Sequence, residues 1–283
     1  MNPTKSFVRE KRIYCGEEYF EVDLFEMTDF SQRGRKEKKG KSKLKQIKAN
    51  EKNSRRYFIQ LVNTNFTEKD FCVHCTYNRE SMPETVEEAE KNIKNYIRRL
   101  QSRRKKEGLP AMKYIIVTEY RQKEDGTPTR IHHHIIMDGL LSRDIVDDLW
   151  RRKKSKGEKK GQTLGMINVD KLQPDEFGLQ ALALYLTKGL TGRKKWHPSI
   201  NLKKPVVKKN DYKYSRRKLM ELSQLTDCNS IWQKLYPGYL LTEATGIYTD
   251  ERGWIIHVKM RRDKGAAFYH SGNSSGIKRI RES

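Results

Sequence analysis

Phe20, Val22 and Leu24 alternate with Glu21 and Asp23 behind a Cys15-Gly16-Glu17 turn, which predicts a half-buried strand in a small hairpin over residues 12–27. Phe71 to Tyr77 is rich in aromatic and β-favouring residues and reads as another strand. From Pro83 to about Arg104 the period lengthens. Val86, Ala89, Ile93, Tyr96, Ile97 and Leu100 form one apolar stripe, with glutamates at the start and basic residues at the end, as suits a helix and its macrodipole. Gly108-Leu109-Pro110 ends that helix. Two apolar runs follow, Tyr114 to Tyr120 and Ile131 to Gly139, joined by Lys123-Glu124-Asp125-Gly126-Thr127-Pro128, which has hairpin chemistry.

Ser142 caps a short helix carrying Ile145, Val146, Leu149 and Trp150, and Leu164 to Val169 suggests a further strand. Pro174 opens a helix that runs through Leu179, Leu182, Tyr185 and Lys188 to Gly189. A helix at about Asn229 to Leu235 precedes a hairpin over Gly246 to Lys259, which can pair with the N-terminal hairpin and bring the chain ends together. This order predicts an α+β fold: a central antiparallel sheet of about five strands with helices packed on it. The expected divisions are an N-terminal hairpin and basic segment (1–56), a main domain (57–205), C-terminal helices and hairpin (206–264) and a disordered tail (265–283).

Charge narrows the partner. The 283 residues carry 60 Lys and Arg against 36 Asp and Glu, a formal net charge of +24, so a polyanion is the leading partner through counterion release from phosphates. The sequence shows neither an apolar run of about 18 residues nor a secretory signal, which implies a soluble cytoplasmic protein with no membrane partner. Four scattered cysteines read as reduced thiols, and the Cys72/Cys75 pair, three apart on a strand, points to opposite faces. A Lys/Arg-rich stretch from Arg33 to Arg56 is either a solvated face or a phosphate-tracking arm. Beyond Gly192, Arg193, Lys194, Lys195, Lys203 and Lys204 lie near Trp196. Cations beside a flat ring suit single-stranded nucleic acid, where rings stack on bases and cations follow phosphates. No credible nucleotide-binding loop is present, since the glycines at 34 and 40 are wrongly spaced and no apolar strand precedes them.

Candidate chemistry concentrates in Ile131 to Gly139, which holds three of the seven histidines. Alternation along a strand puts His132 and His134 on one face and His133 on the other. If the tight turn centres on Asp125-Gly126, antiparallel counting sets Glu119 opposite His132 on the same face, a candidate third ligand for a divalent metal; His197 is a rival. Tyr185 and Lys188, three apart on the later helix, supply a phenol and a cation. Metal, phenolate and cation together are the parts needed for phosphodiester transesterification.

His132-His133-His134 resembles the HUH motif, and Tyr185-Leu186-Thr187-Lys188 resembles the YxxK motif that accompanies it, in the same order. Phe71 to Tyr77 is similar to the strand called the family's first motif, although Cys72, His74 and Cys75 depart from its usual hydroxyl and aliphatic residues. Over roughly residues 57–205 the chain thus resembles single-tyrosine rolling-circle replication initiators of the HUH endonuclease superfamily, found in bacterial plasmids, phages and integrative elements. The resemblance implies an HUH-endonuclease-like sheet with the histidines on an inner strand and the tyrosine on a facing helix. It implies Mg²⁺ or Mn²⁺ as cofactor, held by His132, His134 and Glu119, with Tyr185 as nucleophile and Lys188 as its electrostatic aide. Nicking and rejoining of single-stranded origin DNA through a 5′-phosphotyrosine would follow, with a host helicase and polymerase as partners. Two other readings stand beside it: a conjugative relaxase or transposase with the same chemistry, and a basic nucleic-acid-binding protein without catalysis.

Overall fold

The computed structural model describes residues 6–28, 44–124, 128–188, 196–250 and 252–265. The chain divides into two compact units, one of Met1–Lys41, Glu176–Gly178 and Pro205–Ser283, the other of Ser42–Asp175 and Leu179–Lys204. Each is built on a five-stranded antiparallel sheet, so the α+β class holds.

The first unit contains β1 (Ser6–Cys15), β2 (Tyr19–Thr28), β8 (Val206–Asn210), α5 (Arg216–Ser223), α6 (Asn229–Leu235), β9 (Tyr239–Thr249) and β10 (Gly253–Arg262), with strand order β8-β1-β2-β10-β9. β10 pairs antiparallel with β2, joining the N- and C-terminal hairpins. Phe20, Val22 and Leu24 pack with Leu219, Leu222, Trp232, Ile256 and Val258. The expected half-buried pattern of β2 is corrected here, because Glu21 and Asp23 are buried as well. Each is held by a partner: the Tyr19 hydroxyl donates to Glu21 (3.0 Å), and His257 Nδ1 lies 2.7 Å from Asp23. Of the tail expected from 265 onward, all but Gly265 lies outside the described residues.

The second unit contains α1 (Leu44–Asn65), β3 (Phe71–Thr76), α2 (Val86–Lys106), β4 (Tyr114–Gln122), β5 (Pro128–Met137), α3 (Arg143–Asp148), β6 (Ile167–Lys171), α4 (Gln180–Leu186) and β7 (Trp196–Pro198), with strand order β6-β3-β5-β4-β7. The histidine strand β5 is therefore central. Phe71, Val73, Cys75, Ile116, Ile131, Ile135 and Met137 face α2 and α3 and form one core with Ala89, Ile93, Tyr96, Leu100, Val146 and Trp150. Full burial of each such aliphatic side chain contributes about 1.5–3 kcal/mol. On the opposite face, α1 packs with α4. Helix α1 occupies the later part of the basic stretch and crosses position 57, where the sequence pattern places a domain boundary. Its C-terminal half carries the buried Phe58, Leu61 and Val62.

Helix α4 is shorter than its apolar stripe predicts. It begins at Gln180, not Pro174, because Gly178 takes a left-handed backbone (φ 66°) that no continuous helix accommodates. Helix α2 starts where expected, with the Thr85 hydroxyl accepting from the Glu88 N–H (3.1 Å). Thr85→Ala is expected to cost about 1 kcal/mol, read as a lower urea midpoint at unchanged m-value.

Candidate active site

Strand pairing assembles the site. β5 lies between β3 and β4 in a register that puts Thr76, His132 and Glu119 in one cross-strand row and His74, His134 and Val117 in the next. Directly paired residues share a face. The expected pairing of Glu119 with His132 is thus observed, although Asp125, Gly126 and Thr127 of the turn lie outside the described residues. The pairing also delivers a residue that the sequence reading did not assign to the site. His74 joins His132 and His134, and ligand nitrogens of all three lie within 4.8 Å of one another. The Glu119 carboxylate stands beside them, its Oε2 3.4 Å from His132 Nε2 and 3.8 Å from His134 Nε2.

The imidazoles are arranged as neutral rings. His74 and His134 stack with centroids 4.6 Å apart and planes 7° off parallel, and His132 stands edge-on to both at 5.1 Å. Burial first, then His74 and His132 nearby, pushes His134 down to about 3; burial and then His132 lower His74, against an upward pull from Glu119. His132 Nδ1–H donates to the Arg130 carbonyl (2.8 Å), which leaves Nε2 as the bare nitrogen in the neutral ring. Arg130 reaches that position through a left-handed backbone (φ 51°) at a bulge, where β4 skips from Glu119 to Arg121 in register.

A divalent cation fits this donor set. Nε2 of His74 and Nε2 of His134 are buried with no hydrogen-bond partner among the described residues, each orphan costing about 1–3 kcal/mol. His132 Nε2 faces a carboxylate, acceptor toward acceptor, which is tolerable only with positive charge between them.

His133 does different work on the other face. It is fully buried, with Nε2 2.9 Å from the Tyr77 hydroxyl and Nδ1 3.0 Å from the Thr118 hydroxyl. Burial is the main cause that lowers it to about 3.

Tyr185 lies in the last turn of α4, and its ring stands edge-on to His134 at 5.9 Å between centroids. The side chain is 63% exposed, unusual for a large aromatic. Lys188 is exposed one residue past the C-cap Thr187, its N–H donating to the Tyr185 carbonyl (3.1 Å). His197 is not part of the cluster. It pairs with Ile116, whose side chain belongs to the α2 face, so the register points it away from the other histidines.

Among the expected nucleic-acid contacts, Trp196 is corrected. It is 6% exposed, packs edge-on against Phe58 at 5.4 Å and donates from Nε1 to the Ser54 hydroxyl (3.3 Å), so it is a core residue and offers no stacking face. Lys203 and Lys204 are exposed, and the Lys203 backbone is tied to the Asn65 side chain. Arg193, Lys194 and Lys195 lie outside the described residues.

No described helix is long and apolar enough to cross a membrane. No curated protein and no solved structure matches the chain. Residues 70–190, which include His74, Glu119, the histidine triplet, Tyr185 and Lys188, match the family model of replication-associated protein ORF2, in agreement with the resemblance to rolling-circle replication initiators carried by the motifs.

Proposed function

We propose that this chain is a rolling-circle replication initiator that nicks and rejoins single-stranded DNA at an origin, with Tyr185 as nucleophile. The family match ties the chain to replication. The observation that supports the chemistry is the exposed Tyr185 ring set edge-on against a cluster of three imidazoles, two of whose nitrogens are buried and unpartnered.

In this reading the Tyr185 oxygen attacks a backbone phosphorus, a P–O bond to the phenol forms, and the P–O3′ bond breaks. The departing 3′ oxygen takes up a proton, and the phenol gives one up. Lys188, one turn on, offsets negative charge near the phenolate. Rejoining reverses these bonds, so the ester stores the energy and no nucleotide is consumed. His74, His132 and His134, with Glu119 beside them, would hold a divalent cation, which when bound polarises the scissile phosphate. Three imidazoles favour Mn²⁺ over Mg²⁺, a hard ion that prefers oxygen. Origin DNA would be gripped in part by Lys203 and Lys204, and a host helicase and polymerase would extend the freed 3′ end.

The test is incubation of the full chain with a labelled single-stranded oligonucleotide pool and Mn²⁺, followed by denaturing electrophoresis and mass-spectrometric mapping of the DNA-linked peptide. The expected result is a denaturation-resistant band mapping to Tyr185. An adduct mapping to any other residue overturns the assignment.

Calorimetric Mn²⁺ titration separates His74 from Glu119 as third ligand. His74→Ala is expected to weaken binding by at least about 10–100-fold, the range already seen when a mere outer-shell partner is lost. An unchanged affinity in that variant, with binding abolished in Glu119→Gln, would return the third position to the carboxylate.

A further inference from the structure

On the face of the second unit's sheet turned away from the metal-site histidines, α2 and the loop after α3 enclose a cleft of about 530 Å³. Eight of its lining side chains are Lys or Arg, and its one carboxylate is Asp148. That carboxylate is already taken, by Arg151 Nη2 (2.8 Å) and Lys160 Nζ (2.5 Å). Lys153, Lys154 and Lys159 are exposed and have no carboxylate partner among the described residues. Arg99, from α2, donates through Nε to the Leu149 carbonyl (3.1 Å), while its Nη2 is buried with no acceptor among the described residues. A buried guanidinium nitrogen without an acceptor, in a wall of unpaired cations, calls for an anionic oxygen.

We propose that this cleft binds the sugar–phosphate backbone of double-stranded DNA, as a contact separate from the strand that is cut. Its size exceeds what one phosphate needs, and the excess of cations suits a polyanion that releases counterions. The lining holds no Phe, Tyr, Trp or His. Unstacked bases of a single strand, or the base of a free nucleotide, need a ring or apolar slot to lie against. A duplex, its bases stacked inside, presents only phosphate and sugar to such a wall, and Arg, Lys and Asn are the side chains that grip them. Asn92 and Asn95 supply the neutral polar groups of that set. Because the histidine cluster and Tyr185 lie on the opposite face of the sheet, duplex held here does not compete with a single strand lying over the phenol.

The test uses the full chain without metal and a blunt, labelled duplex, with anisotropy followed over a salt series. The variant Lys153→Gln/Lys154→Gln/Lys159→Gln alters three exposed loop side chains and is expected to fold. It should lower the slope of log K against log salt by about 3 and weaken duplex binding at least tenfold at roughly 0.1 M salt. Its Mn²⁺ titration should stay unchanged. A charge-matched control, Lys69→Gln/Lys91→Gln/Lys106→Gln, removes three exposed lysines outside the cleft and should keep most of the slope. The proposal fails if the cleft variant keeps the parental slope, or if the control loses as much. It fails equally if the cleft variant loses inorganic tripolyphosphate or single-strand affinity alone, which would mark a small-anion site or a single-strand path. No cleavage enters these readouts, so a failure of the nicking chemistry would leave them unaffected.

Discussion

Replacing Tyr185 with Phe is expected to erase the covalent protein–DNA adduct and cut strand cleavage by roughly 10⁴-fold or more, the scale of losing a nucleophile. The change removes one oxygen and keeps the ring. Tyr185 is 63% exposed and contacts the cluster edge-on through His134, so the substitution strands no buried group and leaves the packing of α4 on its buried residues Ala183 and Leu186 in place. Binding of single-stranded DNA, measured by anisotropy in parallel, is expected to change little, and the melting temperature likewise. The contrast between the two readouts is the informative part. Lost cleavage together with lost binding would point to a positioning role for the ring, and an adduct that persists in the Phe variant would remove Tyr185 from the chemistry altogether.

The largest effect on stability is expected at Asp138, the residue that follows the histidine strand. Its carboxylate pairs with Arg104 Nη1 through one oxygen and accepts the Lys113 N–H through the other (2.6 Å). Arg104 is 1% exposed, and its Nε donates to the Pro110 carbonyl (2.8 Å). Asp138→Ala would leave that guanidinium buried with its charge uncompensated, at a cost of about 3–5 kcal/mol. Urea unfolding should show the loss. Joint replacement, Arg104→Met with Asp138→Leu, should recover most of it, because the expense lies in the unpaired charge and not in absence of the pair. If the double variant is as unstable as Asp138→Ala alone, the loss comes from the hydrogen bonds to Lys113 and Pro110 and the ion-pair account is wrong.

How much of this was legible beforehand follows from the range of the interactions. The pairing of Glu119 with His132 could be read off because a hairpin fixes register locally and alternation has a period of two. The opposed roles of His133 and its neighbours followed from the same alternation. His74 was in view as a departure within a predicted strand, but only the pairing of β3 with β5, some 60 residues apart in sequence, brings it opposite His134. No local pattern encodes that choice. Trp196 misled for a related reason: its sequence neighbours are basic, yet burial is decided by its pairing with Val117 and by Phe58 from α1. The second sheet was half visible. The two hairpins showed their alternation, whereas β8, Val-Val-Lys-Lys-Asn, is an exposed edge strand whose composition reads as basic surface. The apolar stripe that extends α4 back to Pro174 in the sequence is interrupted by a glycine whose left-handed conformation a stripe cannot reveal.

His133 ties three strand segments together through two hydroxyls, one from Tyr77 and one from Thr118. Swapping the imidazole for an aliphatic group would strand both hydroxyls in the interior, and removing either hydroxyl would strand a ring nitrogen. The trio can therefore be exchanged for hydrocarbon only as a set. In a lineage diverging from this chain, those positions should drift in concert, with single replacements purged and triple ones tolerated, while the ligands on the reverse side of the same strand stay fixed for an unrelated reason.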